Sequence, residues 1–158
     1  METDPILERL ENMKFVYGDG DPTALTELKR RVADAARRRG ANKKLTYSEL
    51  VDGVEFRLLG VDGGRPYSLG FGGWSELDRA IVGSFLGRMS ADSYRTGKFF
   101  SSALVVTVDT GEPREGFRRL MREIGAHRSS KRDDFILFWC GEVDKALKWY
   151  ASHSGDGG

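Results

Sequence analysis

Apolar residues recur along this chain at two spacings, and the spacing divides it into elements. Leu25, Leu28, Val32 and Ala35 fall at intervals of three and four, the period of a helix with one buried face. Asp21 and Pro22 precede them as helix cap and first helical residue, where the amide that proline lacks has no partner to lose. Gly40 closes the segment. On its outer side Glu27 with Arg31, and Asp34 with Arg38, stand four residues apart along a solvated face. Thr46 with Glu49 forms a capping box, in which hydroxyl and carboxylate satisfy each other's backbone amides, and Leu45 and Leu50 clamp the short helix to a core. "VEFRLL" alternates instead: Val54, Phe56 and Leu58 share one side, as in a half-buried strand.

"GVDGGRPYSLGFGG" is a glycine-rich loop without the strand, glycine, lysine and serine order of a nucleotide loop. Ser75 and Asp78 make a second capping box, and a helix runs from there to about Met89. Leu77, Ile81, Val82, Phe85, Leu86 and Met89 cover one broad half of it, while Ala80, Gly83, Ser84 and Gly87 cover much of the other. Each interior glycine costs about 1 kcal/mol relative to alanine, so the small-residue face predicts a close contact. "SADSYRTGKFF" reads as a short polar helical turn or loop, and "SSALVVTVD" as a strand over 102–108. Pro113 starts a helix whose stripe is Phe117, Leu120, Met121 and Ile124, stopped by Gly125, with Arg114, Arg118 and Arg122 in line on its flank. A last helix from about Asp133 to Ser152 buries Phe135, Ile136, Trp139, Val143, Leu147 and Tyr150. The N-terminal "LERLENMKFVYGDGDP" offers one short apolar run ended by turn residues.

The pattern implies an α+β fold: a mainly helical single domain over 1–152 with a small sheet, and a flexible tail at 153–158. Residues 45–89 and the 102–108 strand are expected to form a helix-turn-helix, winged-helix-like unit. A chain of 158 residues is long enough to bury a core without staples. The single Cys140 makes no internal disulfide, and with only His127 and His153 there is no zinc signature. The acidic start lacks the basic and apolar regions of an export signal, and no apolar run is long enough to span a bilayer. A cytoplasmic setting, no membrane and no cofactor are expected.

Net charge is only +1, but it is unevenly spread. Residues 1–22 carry six acids against two bases, residues 23–48 eight bases against two acids, and residues 114–132 seven bases against two acids. Basic segments are candidate phosphate-binding surfaces.

Catalytic chemistry has little to stand on. Asp109 and Glu112 at the end of the 102–108 strand are the one acid pair suited to metal-assisted hydrolysis, yet Asp109 also suits the first position of a turn. Neither histidine has a serine or cysteine partner at a recognisable spacing, and Cys140, within the last helix, is expected to be a buried, inert thiol. No catalytic and no metal-ligating residue is assigned. Binding remains. Lys43, Lys44, Tyr47, Arg79, Arg88, Tyr94, Arg95 and Lys98 gather around two helices, and aromatic side chains among bases suit phosphate and stacking contacts.

"LTYSEL", "DRAIVGSFLG" and "FFSSALVV", in that order, resemble the Thr-Tyr-Gly-Glu helix, the Arg-Ala-Val-Gly recognition helix and the Pro-Cys-His-Arg-Val-Val strand of alkylguanine DNA alkyltransferases and alkyltransferase-like proteins. The likeness covers roughly a third of the chain and implies a winged helix-turn-helix that reads DNA through its minor groove. Where that family carries its reactive cysteine this chain has Ser101, Ser102 and Ala103, so transfer of an alkyl group to cysteine is ruled out. Arg79 stands four residues before Gly83, with Ala80 at the family's arginine position. The expected function is therefore non-enzymatic binding of nucleic acid, most simply DNA. The alternative is a protein-interaction module or homodimer that uses Ala80, Gly83 and Gly87.

Overall fold

The computed structural model describes residues 4–69 and 73–153. Among them the order of elements is α1 (Pro5–Asn12), α2 (Pro22–Ala36), β1 (Leu45–Thr46), α3 (Tyr47–Val51), α4 (Glu76–Gly97), β2 (Val105–Val106), α5 (Glu115–Glu123) and α6 (Arg132–Ser152). Short 3-10 turns lie at Asp62–Gly64 and Ser101–Leu104. The fold is thus mainly helical with a small sheet, in the α+β class. Part of the glycine-rich loop, at 70–72, and the expected tail from 154 onward lie outside the described residues.

Short-range chemistry sets the helix starts. Asp4 caps α1, its Oδ1 accepting from the amides of Ile6 at 3.0 Å and Leu7 at 3.3 Å. Asp21 caps α2 through the Ala24 amide at 3.1 Å, with Pro22 in the first turn. Both capping boxes form: Thr46 with Glu49 at 3.1 and 2.9 Å, and Ser75 with Asp78 at 3.1 and 3.2 Å. Asp21 and Asp78 also tie distant segments together. Asp21 Oδ2 accepts from the Arg57 amide at 2.8 Å, and Asp78 Oδ1 accepts from the Tyr67 hydroxyl at 2.5 Å. Arg31, expected on a solvated face, donates to the carbonyls of Glu49, Leu50 and Asp52 at 3.2, 3.2 and 2.7 Å, closing the open end of α3.

α4 is the central element. It packs on α1, α2, α5 and the Ser101–Leu104 turn, and buries Ile81, Val82, Phe85, Met89 and Ala91. It runs to Gly97, well past Met89, because Ser90, Ala91 and Tyr94 continue its buried face through the segment expected as a separate short helical turn or loop. Lys98 then takes the left-handed conformation, φ 59°, and ends it.

The sheet is smaller than the alternation suggests. "VEFRLL" makes one antiparallel bridge, Phe56 to Tyr67, although Val54, Phe56 and Leu58 are buried and Glu55, Arg57 and Leu59 are exposed. A longer ladder would next engage Val54 and Leu58, but the Val54 amide donates to the Val51 carbonyl at 3.0 Å and the Leu58 carbonyl accepts from the Val61 amide at 3.1 Å. The expected 102–108 strand is reduced to Val105 and Val106, paired in parallel with Leu45 and Thr46. Its first half is drawn onto α4 as a 3-10 turn, where the Ser101 hydroxyl donates to the Met89 carbonyl at 3.3 Å and the Ser102 and Ser90 hydroxyls meet at 2.5 Å. Cys140 departs from expectation and is exposed. The buried side of α6 follows Phe135, Trp139, Val143, Ala146 and Tyr150, and one residue beyond Trp139 is a rotation of about 100° away from it.

The two glycines of α4 have different surroundings. At Gly87 a Cβ would run into the Phe15 ring, whereas at Gly83 it would meet nothing within 4 Å. Gly87→Ala is therefore expected to destabilise by about 1–3 kcal/mol through overpacking, less the helix-propensity gain. Gly83→Ala should stabilise by up to about 1 kcal/mol. Urea unfolding of both variants checks this, and shifts of the same sign would refute the distinction.

Candidate functional site

The residues that sequence gathers into one binding group occupy three separate surroundings. Arg88, Tyr94, Arg95 and Lys98 follow the side of α4 that faces the N-terminal segment. Lys98 Nζ reaches Asp4 Oδ2 at 2.6 Å, and the Tyr94 hydroxyl donates to the same oxygen at 2.8 Å. Arg95 pairs with Glu11 at 3.5 Å and Asp92 at 3.3 Å, and Arg88 with Asp19 at 3.4 Å and Asp92 at 3.1 Å. Lys29 closes on Asp92 from α2 at 2.6 Å. The acidic N-terminus thus supplies Asp4, Glu11 and Asp19 as counter-charges for the bases of α4. The Tyr94 ring is buried, stacked on Phe100 at 5.2 Å.

Lys43 and Lys44 stand elsewhere, before β1, both half-buried. Lys44 Nζ lies 5.9 Å from the Trp139 ring of α6. Neither lysine has a carboxylate partner among the described residues.

The third surrounding holds Tyr47 and Arg79. Tyr47 is buried, and its hydroxyl accepts from the Arg114 amide at 2.8 Å; burial pushes that hydroxyl above its ordinary pKa. The Trp74 ring meets the Tyr47 ring edge-on at 6.2 Å. Over both lies the Arg114 guanidinium, 4.7 Å from the Tyr47 centroid and 4.6 Å from that of Trp74. These rings open onto a groove of about 810 Å³ between α4 and α5. Ala80 and Gly83 form part of its α4 wall, Leu86, Phe117 and Leu120 add apolar surface, and Met13 and Phe15 reach it from the N-terminal segment. Arg79, Arg114, Arg119, Glu115 and Glu123 supply its charges.

Sequence reasoning found the small-residue wall but missed Trp74, Arg114 and Arg119 as parts of one site. A signal for Trp74 existed. It occupies the position before a capping box, where an apolar residue ordinarily packs on the fifth residue of the helix start, and here that residue is Arg79. The arginines in line along α5 also separate: Arg118 lies over Phe135 at 5.1 Å and donates to the Ser130 carbonyl at 2.7 Å, while Arg122 is exposed.

The remaining candidates for chemistry have structural occupations. Asp109 sits in the turn closed by the Gly111 amide on the Thr107 carbonyl at 2.9 Å, and Glu112 pairs with Arg132 at 2.8 Å. His127 stacks on Phe138 at 4.7 Å, and His153 on Trp149 at 4.1 Å. Among the described residues no cluster of three or more histidine, cysteine or acidic side chains is arranged to hold a metal ion, and no helix is long and apolar enough to cross a membrane.

The Asp4 cluster has a pH signature. Lys98 first, and Tyr94 second, hold the Asp4 carboxyl down to about 2 from its ordinary 3.8. A lowered carboxylate pKa stabilises the folded chain fully above the unfolded value and loses that contribution as pH falls through the folded one. The tether between α1 and α4 should thus survive at pH 3 and fail toward pH 2. In Lys98→Met the Asp4 midpoint, followed by carboxyl NMR, should rise toward 3.8; a midpoint still near 2 would refute the role given to Lys98. No protein-family model, curated protein or solved structure matches this chain.

Proposed function

We propose that the chain is a non-enzymatic interaction module whose α4–α5 groove receives a helix of a partner protein. One observation carries the reading: Gly83 and Ala80 are exposed on the wall of the groove, and a side chain added at Gly83 would meet nothing within 4 Å. A helix wall without side chains lets a second backbone approach, and the apolar residues along the groove supply the surface that an amphipathic helix buries. Drug-sized ligands occupy cavities of roughly 300–1,000 Å³, so the size alone suits either a helix or a smaller molecule. The small-residue wall at Ala80 and Gly83 favours the helix.

Binding of nucleic acid through a winged-helix-like unit of residues 45–89 and 102–108 is the second reading. Its support is that Lys43, Lys44, Arg79, Arg114 and Arg119 have no carboxylate within ion-pair distance among the described residues, which leaves them available to phosphate. Arg88, Arg95 and Lys98 give it less support, each being engaged by an acid of this chain.

Gly83→Leu separates the readings, because it fills the groove without removing a charge or touching the core. A display library of helical peptides, selected in parallel on both forms of the chain, should give peptides that bind the parent and fail on Gly83→Leu, with the melting temperature unchanged or raised. Sedimentation of the protein alone covers the case in which the occupant is a second copy: a dimer that Gly83→Leu dissolves. Anisotropy with duplex and single-stranded DNA at about 50 mM salt, where phosphate contacts are strongest, should show no binding. DNA binding that Gly83→Leu leaves intact would replace the first reading with the second.

A further inference from the structure

We infer that the partner helix lies antiparallel to α4 and presents a carboxylate from its last turn to Arg114. The inference rests on the groove reading above and names the chemistry of its occupant. Arg114 is held at two points. Its amide donates to the Tyr47 hydroxyl at 2.8 Å, and its guanidinium lies over the rings of Tyr47 and Trp74 at 4.7 and 4.6 Å. The two rings stand at 89° to each other, so the planar guanidinium can lie flat on no more than one of them, and the exposed side chain keeps N–H groups from which a carboxylate can accept. Because the side chain is already ordered, binding an anion immobilises little that was free.

The charges of this chain do not fill that role. Glu115 follows Arg114 and lines the groove, yet it lies beyond ion-pair distance of Arg79, Arg114 and Arg119, as does every other carboxylate among the described residues. Asp78, the nearest acid in sequence to Arg79, is buried and bonded to Tyr67 and the Ser75 amide.

Direction follows from the two ends of the groove. Trp74 precedes α4 by two residues and Arg114 is the cap of α5, so both helices begin beside the stacked arginine. Arg79 adds a second positive charge one turn into α4. Glu123 ends α5, about 13 Å further along at 1.5 Å per residue. The groove therefore sets two arginines, Arg79 and Arg114, against one carboxylate, Glu115, where α4 and α5 begin, and carries the carboxylate of Glu123 where α5 ends. A bound helix complements this field when its own negative, C-terminal end lies at Arg114 and Arg79.

The test uses peptides from the same display selection, resynthesised with each acidic residue changed in turn to glutamine and titrated against the full chain. One acid in the last turn should prove decisive, its change weakening binding about tenfold or more, as loss of a charge-assisted hydrogen bond does. Arg114→Ala should weaken the acidic peptide by the same factor and leave the glutamine peptide unaffected. It keeps the backbone amide that holds Tyr47, and Arg114→Gln, which retains length without charge, provides a second variant if the alanine form melts early. Peptides that need Gly83 but bind Arg114→Ala and Arg114→Gln as tightly as the parent would overturn the carboxylate inference and leave the groove reading standing. A decisive acid in the first turn would overturn the orientation. A selection that yields no Gly83-dependent peptide would overturn the groove reading, and this inference with it.

Discussion

Three aspartates determine how the helices of this protein meet. Asp4, Asp21 and Asp78 each place one carboxylate oxygen at the start of a helix and the other on a segment far along the chain: the Tyr94 and Lys98 side chains, the Arg57 amide and the Tyr67 hydroxyl. A carboxylate has enough lone pairs to accept from both directions, so one residue satisfies an exposed helix end and fixes its orientation in the fold. α1 is thereby held against α4, α2 against the buried run at 54–58, and the start of α4 against Tyr67. Removing one of these groups would leave unpaired amides and loosen a tertiary contact at once. The groove depends on two of them, because Asp78 sets the first turn of α4, which carries Arg79, and Asp4 seats the segment that delivers Phe15 to Gly87.

The distribution of charge has a related explanation. A segment with six acids against two bases does not stand as a tail, since Asp4, Glu11 and Asp19 all reach bases of α4. Most of these pairs are partly solvated, where an ion pair contributes on the order of 0–1 kcal/mol. Asp92 differs in degree: it gathers Lys29, Arg88 and Arg95 at a less exposed position, so that α2 and α4 meet over one carboxylate. These bases are consequently occupied.

What was legible in the sequence was what short range determines. The Asp21 cap, both capping boxes and the stripes of α2, α5 and α6 involve residues within one or two turns of each other and are present, although α2 ends at Ala36, short of the Gly40 expected to close it, and Ile136 and Leu147 of the α6 stripe are only half-buried. The contacts that were illegible join residues far apart. Lys98 and Asp4 are 94 positions apart, and Lys29 and Asp92 are 63 apart; nothing in a local window distinguishes a base that will meet such an acid from one left in solvent. The same limit explains why Arg88, Arg95 and Lys98 read as a phosphate surface; the reading of Cys140 as buried failed locally instead, since it stands about 100° past Trp139 of the buried stripe. The two glycines of α4 show the boundary clearly. Their spacing identified a face without side chains, but only the position of Phe15 makes one of them a packing requirement and leaves the other on an open wall.

The stacked arginine bears on what kind of partner such a wall suits. A phosphate backbone is met by several flexible bases spread along a groove, since each contact releases counterions and no single one needs exact placement. The α4–α5 groove has the opposite character. Its length is lined by Leu86, Phe117, Leu120 and Trp74, its arginines are offset by Glu115 and Glu123, and its most fixed cation is held by two rings at one end. Burying apolar surface of that kind against a sugar-phosphate chain would gain little, whereas an amphipathic helix offers the matching stripe. A single ordered guanidinium at the end of an apolar trough fixes register and direction more than it adds affinity, which is what a groove needs if it is to distinguish one helix from another.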